Sequence, residues 1–320
     1  MKMHVLTGME GNHEYAMESL ELPSNLKGLF IDCFMGTTIP RWGRATCNWA
    51  ISVPPLVTIS FSTMNNLQEM PVLSILLYLK ELHMECMDEL EYIELISNTS
   101  SAESETFFPS LRILHLSNME KLKGWWKGVD DDQRYRFPSL SNLSITNCHD
   151  LKAFPRCPDL EVLYLQDNCG RLQILVKNTG KEEEEEEIIR LRDVEIDEVR
   201  YLKSLPTNCL TCLKILKSTS CSSVLEAGGE IESCASSLQS LQIVRISDLR
   251  RLCGDRGLKH FTALESLAFG YFGQQFSRSN EDEEEGEEND DNILWKFIPP
   301  SLRSLEFRHQ RLTRLPKEIH

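Results

Sequence analysis

One stretch decides the fold of this 320-residue chain: Leu111-Arg-Ile-Leu114-His-Leu116-Ser-Asn-Met119-Glu-Lys-Leu122-Lys-Gly-Trp125. Apolar residues occupy its positions 1, 4, 6, 9, 12 and 15, and the full spacing begins again at Leu56, Leu79, Leu140, Leu191 and Leu238. Incomplete copies begin at Leu26, Leu160, Leu213, Leu264 and Leu302. Because 41% of the residues are apolar, chance alone would give roughly one or two full matches. The series therefore predicts a protein built from repeats of about 28 residues.

The spacing is that of a leucine-rich repeat, which contributes one short strand to a stack of similar units. Side chains alternate between the two faces of a strand, so Leu114 and Leu116 are predicted to face the core and His115 the solvent. One repeat cannot bury its apolar edge alone, and neighbouring repeats must stack. The predicted fold class is an α/β solenoid. It is a curved leucine-rich-repeat array with a parallel β-sheet on the concave face and short irregular or helical segments on the convex face.

The array is predicted to be one domain over residues 1–320, with about eleven repeats and truncated at both ends, because neither end offers an atypical capping repeat. The net charge is -15, but two acidic runs between repeats, from Glu182 to Glu187 and from Glu281 to Asp291, account for it. Residues 181–187 and 280–292 are therefore predicted to be acidic disordered loops within the domain.

No motif in the sequence predicts catalysis. None of the histidines occurs with a sequence motif of a catalytic nucleophile. Cys209-Leu-Thr-Cys212 lacks the further ligands that a zinc site requires. We therefore expect no enzyme activity, no catalytic residues, no cofactor and no metal. No apolar run is long enough to cross a bilayer, and the first residues lack the apolar core of a signal peptide. These features predict a cytoplasmic protein without a membrane span.

The predicted binding surface consists of outward side chains at positions 2, 3, 5, 7 and 8, which change sharply from repeat to repeat. Such a mixed surface suits a protein partner better than nucleic acid. For the tryptophan pair Trp125-Trp126, a packed role is favoured over an exposed binding role. The candidate protein-binding residues are Arg112, His115, Asn118, Ser144, Thr146, Tyr164, Gln166, Arg192, Glu195, Asp197, Lys217, Gln242, Arg245, Tyr271, Glu306 and Arg308.

An extended pattern covers most of the chain, and its clearest copy is Leu140-x-x-Leu143-x-Ile145-x-x-Cys148-x-x-Leu151-x-x-Phe154-Pro155. It resembles the repeats of plant intracellular nucleotide-binding leucine-rich-repeat disease resistance proteins. The resemblance implies the sensor region of such a receptor, which contributes to defence by binding pathogen effectors or host proteins and by restraining a nucleotide-binding switch. The implied partners are a protein ligand and the nucleotide-binding domain of a receptor. The sequence itself contains no phosphate-binding loop.

Two other classes of leucine-rich-repeat protein are alternatives to this one. The substrate-recognition region of an F-box ubiquitin ligase adaptor would need an upstream helical segment, and residues 1–22 are too short for it. The second alternative is the ectodomain of a plant surface receptor, whose repeats have asparagine at position 9. Here position 9 is occupied by Met64, Met87, Met119, Cys148, Val199 or Ile246.

Overall fold

The computed structural model describes the backbone of thirteen segments, with gaps between them. They are residues 1–6, 18, 20–37, 55–70, 73–95, 107–127, 137–152, 157–166, 191–198, 210–220, 232–243, 258–270 and 298–307. The chain divides into two compact units, unit 1 (1–190) and unit 2 (191–320). The predicted acidic loops, 181–187 and 280–292, lie outside the described residues. The single domain of about eleven repeats stays a prediction.

The described part of unit 1 contains nine short strands. They are β1 (Lys2–Leu6), β2 (Gly28–Asp32), β3 (Thr58–Ser62), β4 (Glu81–Glu85), β5 (Tyr92–Leu95), β6 (Ile113–Ser117), β7 (Gly124–Lys127), β8 (Asn142–Thr146) and β9 (Val162–Gln166). Seven of them form a parallel sheet in the order β1-β2-β3-β4-β6-β8-β9. Strands β5 and β7 form a separate parallel pair. Strands β2, β3, β4, β6, β8 and β9 come from six different predicted repeats, whereas β1 precedes the first predicted repeat and was not expected.

Unit 2 repeats the same plan with five strands in its described part. They are β10 (Asp193–Glu198), β11 (Ile215–Ser220), β12 (Ser240–Ile243), β13 (Ser266–Phe269) and β14 (Ser304–Phe307). The strands are parallel and pair in chain order. A short 3-10 helix at Leu258–His260 precedes β13. Both units are therefore leucine-rich-repeat arrays.

The core of unit 1 is built from the inward side chains of its strands. At position 4, register partners form an unbroken column from β2 to β9, and every member is buried. Its members are Leu29, Ile59, Leu82, Leu114, Leu143 and Leu163. Burying one such side chain contributes about 1.5–3 kcal/mol, so the column is a main source of stability. The predicted inward orientation of Leu114 and Leu116 is confirmed.

Turns at both ends of each strand place further apolar side chains in the core. Before β6, the Leu111 N–H donates to the Phe108 carbonyl at 3.0 Å, and after it the Leu122 N–H donates to the Met119 carbonyl at 3.3 Å. The same bonds recur around β8, from Leu140 and from Leu151. At position 9, Met64, Met87, Met119 and Cys148 are buried as predicted, whereas Val199 and Ile246 lie outside the described residues.

The segments after two of the strands differ from the prediction of irregular or helical structure, because β5 and β7 pair in parallel there. Strand β7 contains both tryptophans, and aromatic side chains favour the strand conformation. Trp125 and Trp126 are 1% and 2% exposed. Trp126 packs 4.9 Å from the Phe107 ring and Trp125 meets the Phe137 ring edge-on at 5.6 Å. The packed role of the pair is confirmed.

Strand β5 carries a buried acid that the sequence analysis missed. The Glu94 carboxyl is 3% exposed, and it accepts hydrogen bonds from the Ser74 N–H at 2.6 Å and from the Ser74 hydroxyl at 2.8 Å. Desolvation by burial raises the pKa of Glu94 from 4.5 to about 7, although the hydrogen bonds from Ser74 oppose the rise. These hydrogen bonds connect the turn at Ser74 in one repeat to strand β5 in the next.

Glu94→Gln should flatten the dependence of stability on pH. The folded pKa is higher than the unfolded value of 4.5, so this group's stabilisation is complete below pH 4.5 and is lost as the pH rises through about 7. The loss is of the order of 3 kcal/mol. We expect the denaturation midpoint to fall less between pH 5 and pH 8 in the variant than in the native chain. Glu69→Gln, at an exposed position, is the control, and parallel curves for Glu94→Gln and the native chain would contradict this assignment.

Candidate protein-binding surface

The outward face of unit 1 is the side of its seven-stranded sheet opposite the core. Its middle row is formed by the position-5 residues, which are register partners: His4, Phe30, Ser60, His83, His115, Ser144 and Tyr164. The His4 and Phe30 rings stack at 4.4 Å, and the His83 and His115 rings lie 6.0 Å apart. Rings therefore meet across adjacent strands at two places in this row.

His115 is less exposed than the sequence analysis expected. Its ring is half-buried on the outward face beside His83. Desolvation, followed by the effect of His83, lowers the pKa of His115, while Glu85 acts in the opposite direction. His115 is accordingly neutral at pH 7.

The structure brings four other candidates of unit 1 together on this face, and a fifth, Arg112, lies just before a strand of the sheet. Arg112 is exposed just before β6, and Ser144 and Thr146 are half-buried in β8. Their register partners in β9 are Tyr164 and Gln166, and the Tyr164 hydroxyl donates to the side-chain carbonyl of Gln166. This cluster lies on one face, as the predicted side-chain alternation requires.

In unit 2, the placed candidates form a second outward row. The Lys217 ammonium and the Glu195 carboxylate make a salt bridge at 3.0 Å between β11 and β10, and Gln242 is the register partner of Lys217. Arg192 is exposed beside β10, and Glu306 is exposed in β14. The side chain of Asp197 is not among those described, and Arg245, Tyr271 and Arg308 lie outside the described residues.

Asn118 links neighbouring repeats, and its role in protein binding stays a prediction. Its side chain accepts a hydrogen bond from the Asn147 amide at 2.7 Å and donates to the Cys86 sulfur at 3.7 Å. The cause is a left-handed backbone at position 8, where φ is positive in five repeats. The residues and angles are Cys33 (61°), Thr63 (55°), Cys86 (53°), Asn118 (53°) and Asn147 (52°). The left-handed residue ends the strand and turns the side chain along the array.

At the position-8 turn, backbone hydrogen bonds between neighbouring repeats continue beyond the ends of the strands. The Asn118 N–H donates to the Thr146 carbonyl at 3.0 Å, and the Asn147 N–H donates to the Gln166 carbonyl at 3.0 Å. Asparagine is among the residues that adopt the left-handed conformation most readily. The Asn118 and Asn147 pair at one repeat position was the signal in the sequence for this turn.

Asn118→Val should destabilise the protein more than Asn118→Gly. A β-branched side chain is strained at a φ of 53°, whereas glycine adopts that angle freely. Both variants lose the side-chain hydrogen bonds, so their difference isolates the backbone strain. We expect the valine variant to be less stable than the glycine variant by about 1–2 kcal/mol in chemical denaturation. Equal stability of the two variants would contradict the left-handed turn.

Three other features were considered in the described part of the chain: a metal site, a cysteine pair and a membrane span. Among its residues, no three metal-binding side chains cluster. Cys212 is an exposed free thiol, and Cys209 lies outside the described residues. Across the same ranges, no helix has the length and apolar character needed to cross a membrane.

Comparison with known proteins identifies the type of repeat. Residues 7–87 match the family model described as R13L1/DRL21 LRRs, and residues 51–157 match the model of leucine-rich repeats of plant disease resistance protein RPS2-like proteins. Residues 7–157 are thus leucine-rich repeats of the plant disease-resistance type, as the resemblance implied.

Two further comparisons add no functional detail. A leucine-rich-repeat protein of Leptospira interrogans aligns with 95% of this chain and 85% of its own, at 15% sequence identity and a TM-score of 0.23. No curated protein matches the chain significantly.

Proposed function

We propose that this chain, whose residues 7–157 are leucine-rich repeats of the plant disease-resistance type, is the protein-recognition module of a plant immune receptor. In this role its outward face binds pathogen effectors or host proteins in the cytoplasm. The chain also contacts the nucleotide-binding domain of a receptor and restrains it at rest. The observation that carries the proposal is the contrast between a uniform core and a varied outward face.

That contrast is seen by comparing neighbouring positions of the same strands. At position 4 the register partners Leu114, Leu143 and Leu163 are all leucine and all buried. One residue later, the partners are His115, Ser144 and Tyr164. The packing of the core does not require these outward side chains, so their identities are free to serve contacts with another molecule.

The size and chemistry of the outward face support a protein partner. Seven strands spaced about 4.8 Å apart give a face about 30 Å wide, the length of a helix of about 20 residues. Tyrosine is enriched in protein interfaces, and Tyr164 lies on this face. A nucleic acid would need a uniformly basic surface, whereas Glu85 and Asp32 lie at one margin of this face.

Site-specific photo-crosslinking in leaf cells tests the proposal. Photoreactive amino acids replace Ser144, Thr146 or Lys152 in the chain, which is produced together with the nucleotide-binding domain of a plant disease-resistance receptor. Ser144 and Thr146 lie in β8 on the outward face, whereas Lys152 is an exposed control beyond that strand. We expect adducts with the nucleotide-binding domain from positions 144 and 146 only. Equal adducts from position 152, or none from the outward positions, would overturn the proposal.

A further inference from the structure

Two histidines stand side by side near the middle of the outward face of unit 1. His83 in β4 and His115 in β6 are register partners, and their ring centres lie 6.0 Å apart with the ring planes tilted by 45°. Both side chains are half-buried at position 5 of their repeats. Register partners in neighbouring strands point to the same face of a sheet, so the two imidazoles share one patch of the surface.

The strands hold the backbones of the two histidines in a fixed relation. The residues before and after each histidine face inward and are at most 1% exposed: Leu82, Met84, Leu114 and Leu116. Neighbouring strands lie about 4.8 Å apart, and this spacing sets the separation of the two side chains at their origin. A site built on packed strands keeps its geometry better than a site built on loops.

Neither imidazole is occupied by another group in the segments that the structure describes. Within those segments, no hydrogen bond or ion pair joins the ring of His83 or of His115 to another residue. The unpaired side-chain atoms that are shielded from solvent there are oxygens of Asn65 and Asp193. The ring nitrogens of both histidines therefore reach solvent and keep their capacity to bind a ligand.

The neighbours of the pair in the same row leave room above the rings. Ser60 of β3 is the register partner of His83, and Ser144 of β8 is the register partner of His115. A serine side chain is too short to extend over a neighbouring imidazole. The pair is therefore accessible to a small ligand from the outward side.

Two adjacent imidazoles with accessible nitrogens match the chemistry of a divalent transition metal, because imidazole is a common ligand of zinc, copper and nickel. When two imidazoles bind one tetrahedral zinc ion through Zn–N bonds of about 2.1 Å, their ring centres are about 5 Å apart. The ring centres of His83 and His115 are 6.0 Å apart. Small rotations about the side-chain bonds close the remaining gap.

We propose that His83 and His115 together bind one divalent transition metal ion, for which zinc is the probe, on the outward face of unit 1. One nitrogen of each ring binds the ion, and water occupies the remaining coordination positions. In the described segments no third metal-binding side chain clusters with the pair, so the site is open on its outer side. The bound ion would join β4 to β6, which belong to neighbouring repeats. The inference does not depend on the proposed function, and it departs from the sequence-based expectation of no metal.

The charges around the pair neither select nor exclude a cation. Glu81 and Glu85 each lie two residues from His83 on the same face of β4. The exposed basic residues Lys80 and Arg112 precede the strands that carry the two histidines. The affinity for the metal therefore comes from the two imidazole nitrogens.

Modification of histidines by diethyl pyrocarbonate tests the site on the purified full chain. The reagent attacks an imidazole nitrogen that binds neither a metal nor a proton, and mass spectrometry measures the product at each histidine. We expect Zn²⁺ to slow the modification of His83 and His115 over the same range of concentrations, and a chelator to restore it. His260, which is exposed in unit 2, is the internal control and should keep its rate. Unchanged rates at His83 and His115 in zinc would overturn the proposal.

Single substitutions show whether the two rings share one ion. In His83→Gln, zinc should no longer protect His115, and in His115→Gln it should no longer protect His83, because each variant loses one of the two ligands. His260→Gln is the matched control and should leave both histidines protected. Circular dichroism checks that each variant is folded. Protection of the remaining histidine in both variants would mean adventitious binding to single rings and would overturn the shared site.

Magnesium separates imidazole binding from a general effect of divalent cations. Mg²⁺ prefers oxygen ligands, so it should leave the modification of His83 and His115 unchanged. Equal protection by Mg²⁺ and Zn²⁺ would overturn the proposal in favour of cation binding by the nearby carboxylates of Glu81 and Glu85. The photo-crosslinking experiment at positions 144 and 146 involves no added metal, so this inference and the proposed function fail separately.

Discussion

A single repeat of this protein has apolar edges that it can cover only with the next repeat, and the rest of the structure follows from that constraint. Each position-4 leucine is buried between its counterparts in the neighbouring strands, as Leu114 is between Leu82 and Leu143. Stability therefore belongs to the stack and not to the repeat. The same stacking satisfies backbone groups, because the N–H at position 2 donates to the carbonyl of the preceding repeat.

Inward and outward positions of each strand meet different requirements, and this difference links the constraint to function. Inward positions must be apolar, and outward positions escape that demand. Exposed charges pair in both units, as between Lys121 and Glu89 in unit 1 and between Lys217 and Glu195 in unit 2. Surface pairs of this kind contribute about 1 kcal/mol or less, so they add little to the stability of the stack.

The sequence predicted the main sheet well because spacing reports burial directly. Leu111, Leu114 and Leu116 follow from alternation and stacking alone. The direction of the Asn118 side chain could not be predicted, because alternation assumes an extended backbone and the backbone at position 8 is left-handed. The pairing of β5 with β7 was missed because the spacing marks position 15 as apolar without the alternation that indicates a strand. The fixing of the Glu94 carboxyl by Ser74 of another repeat has no local signature.

For the candidate surface, the sequence could place residues on a face but could not supply their interactions. The neighbours of His115, Ser144 and Tyr164 follow from register, which spacing predicts. The contact of His115 with His83 and the bond from Tyr164 to Gln166 depend on side-chain conformations.

Hydroxyl-radical footprinting with mass spectrometry tests the central claim, that periodic apolar side chains are enclosed between stacked repeats. The native chain is exposed briefly to radicals, and oxidation is measured residue by residue. The account predicts slow oxidation of Trp125, Trp126 and Met119, which are 1%, 2% and 0% exposed, and fast oxidation of Tyr78, which is 64% exposed. Oxidation of the tryptophans and Met119 as rapid as that of Tyr78 would contradict the stacked core on which the account depends.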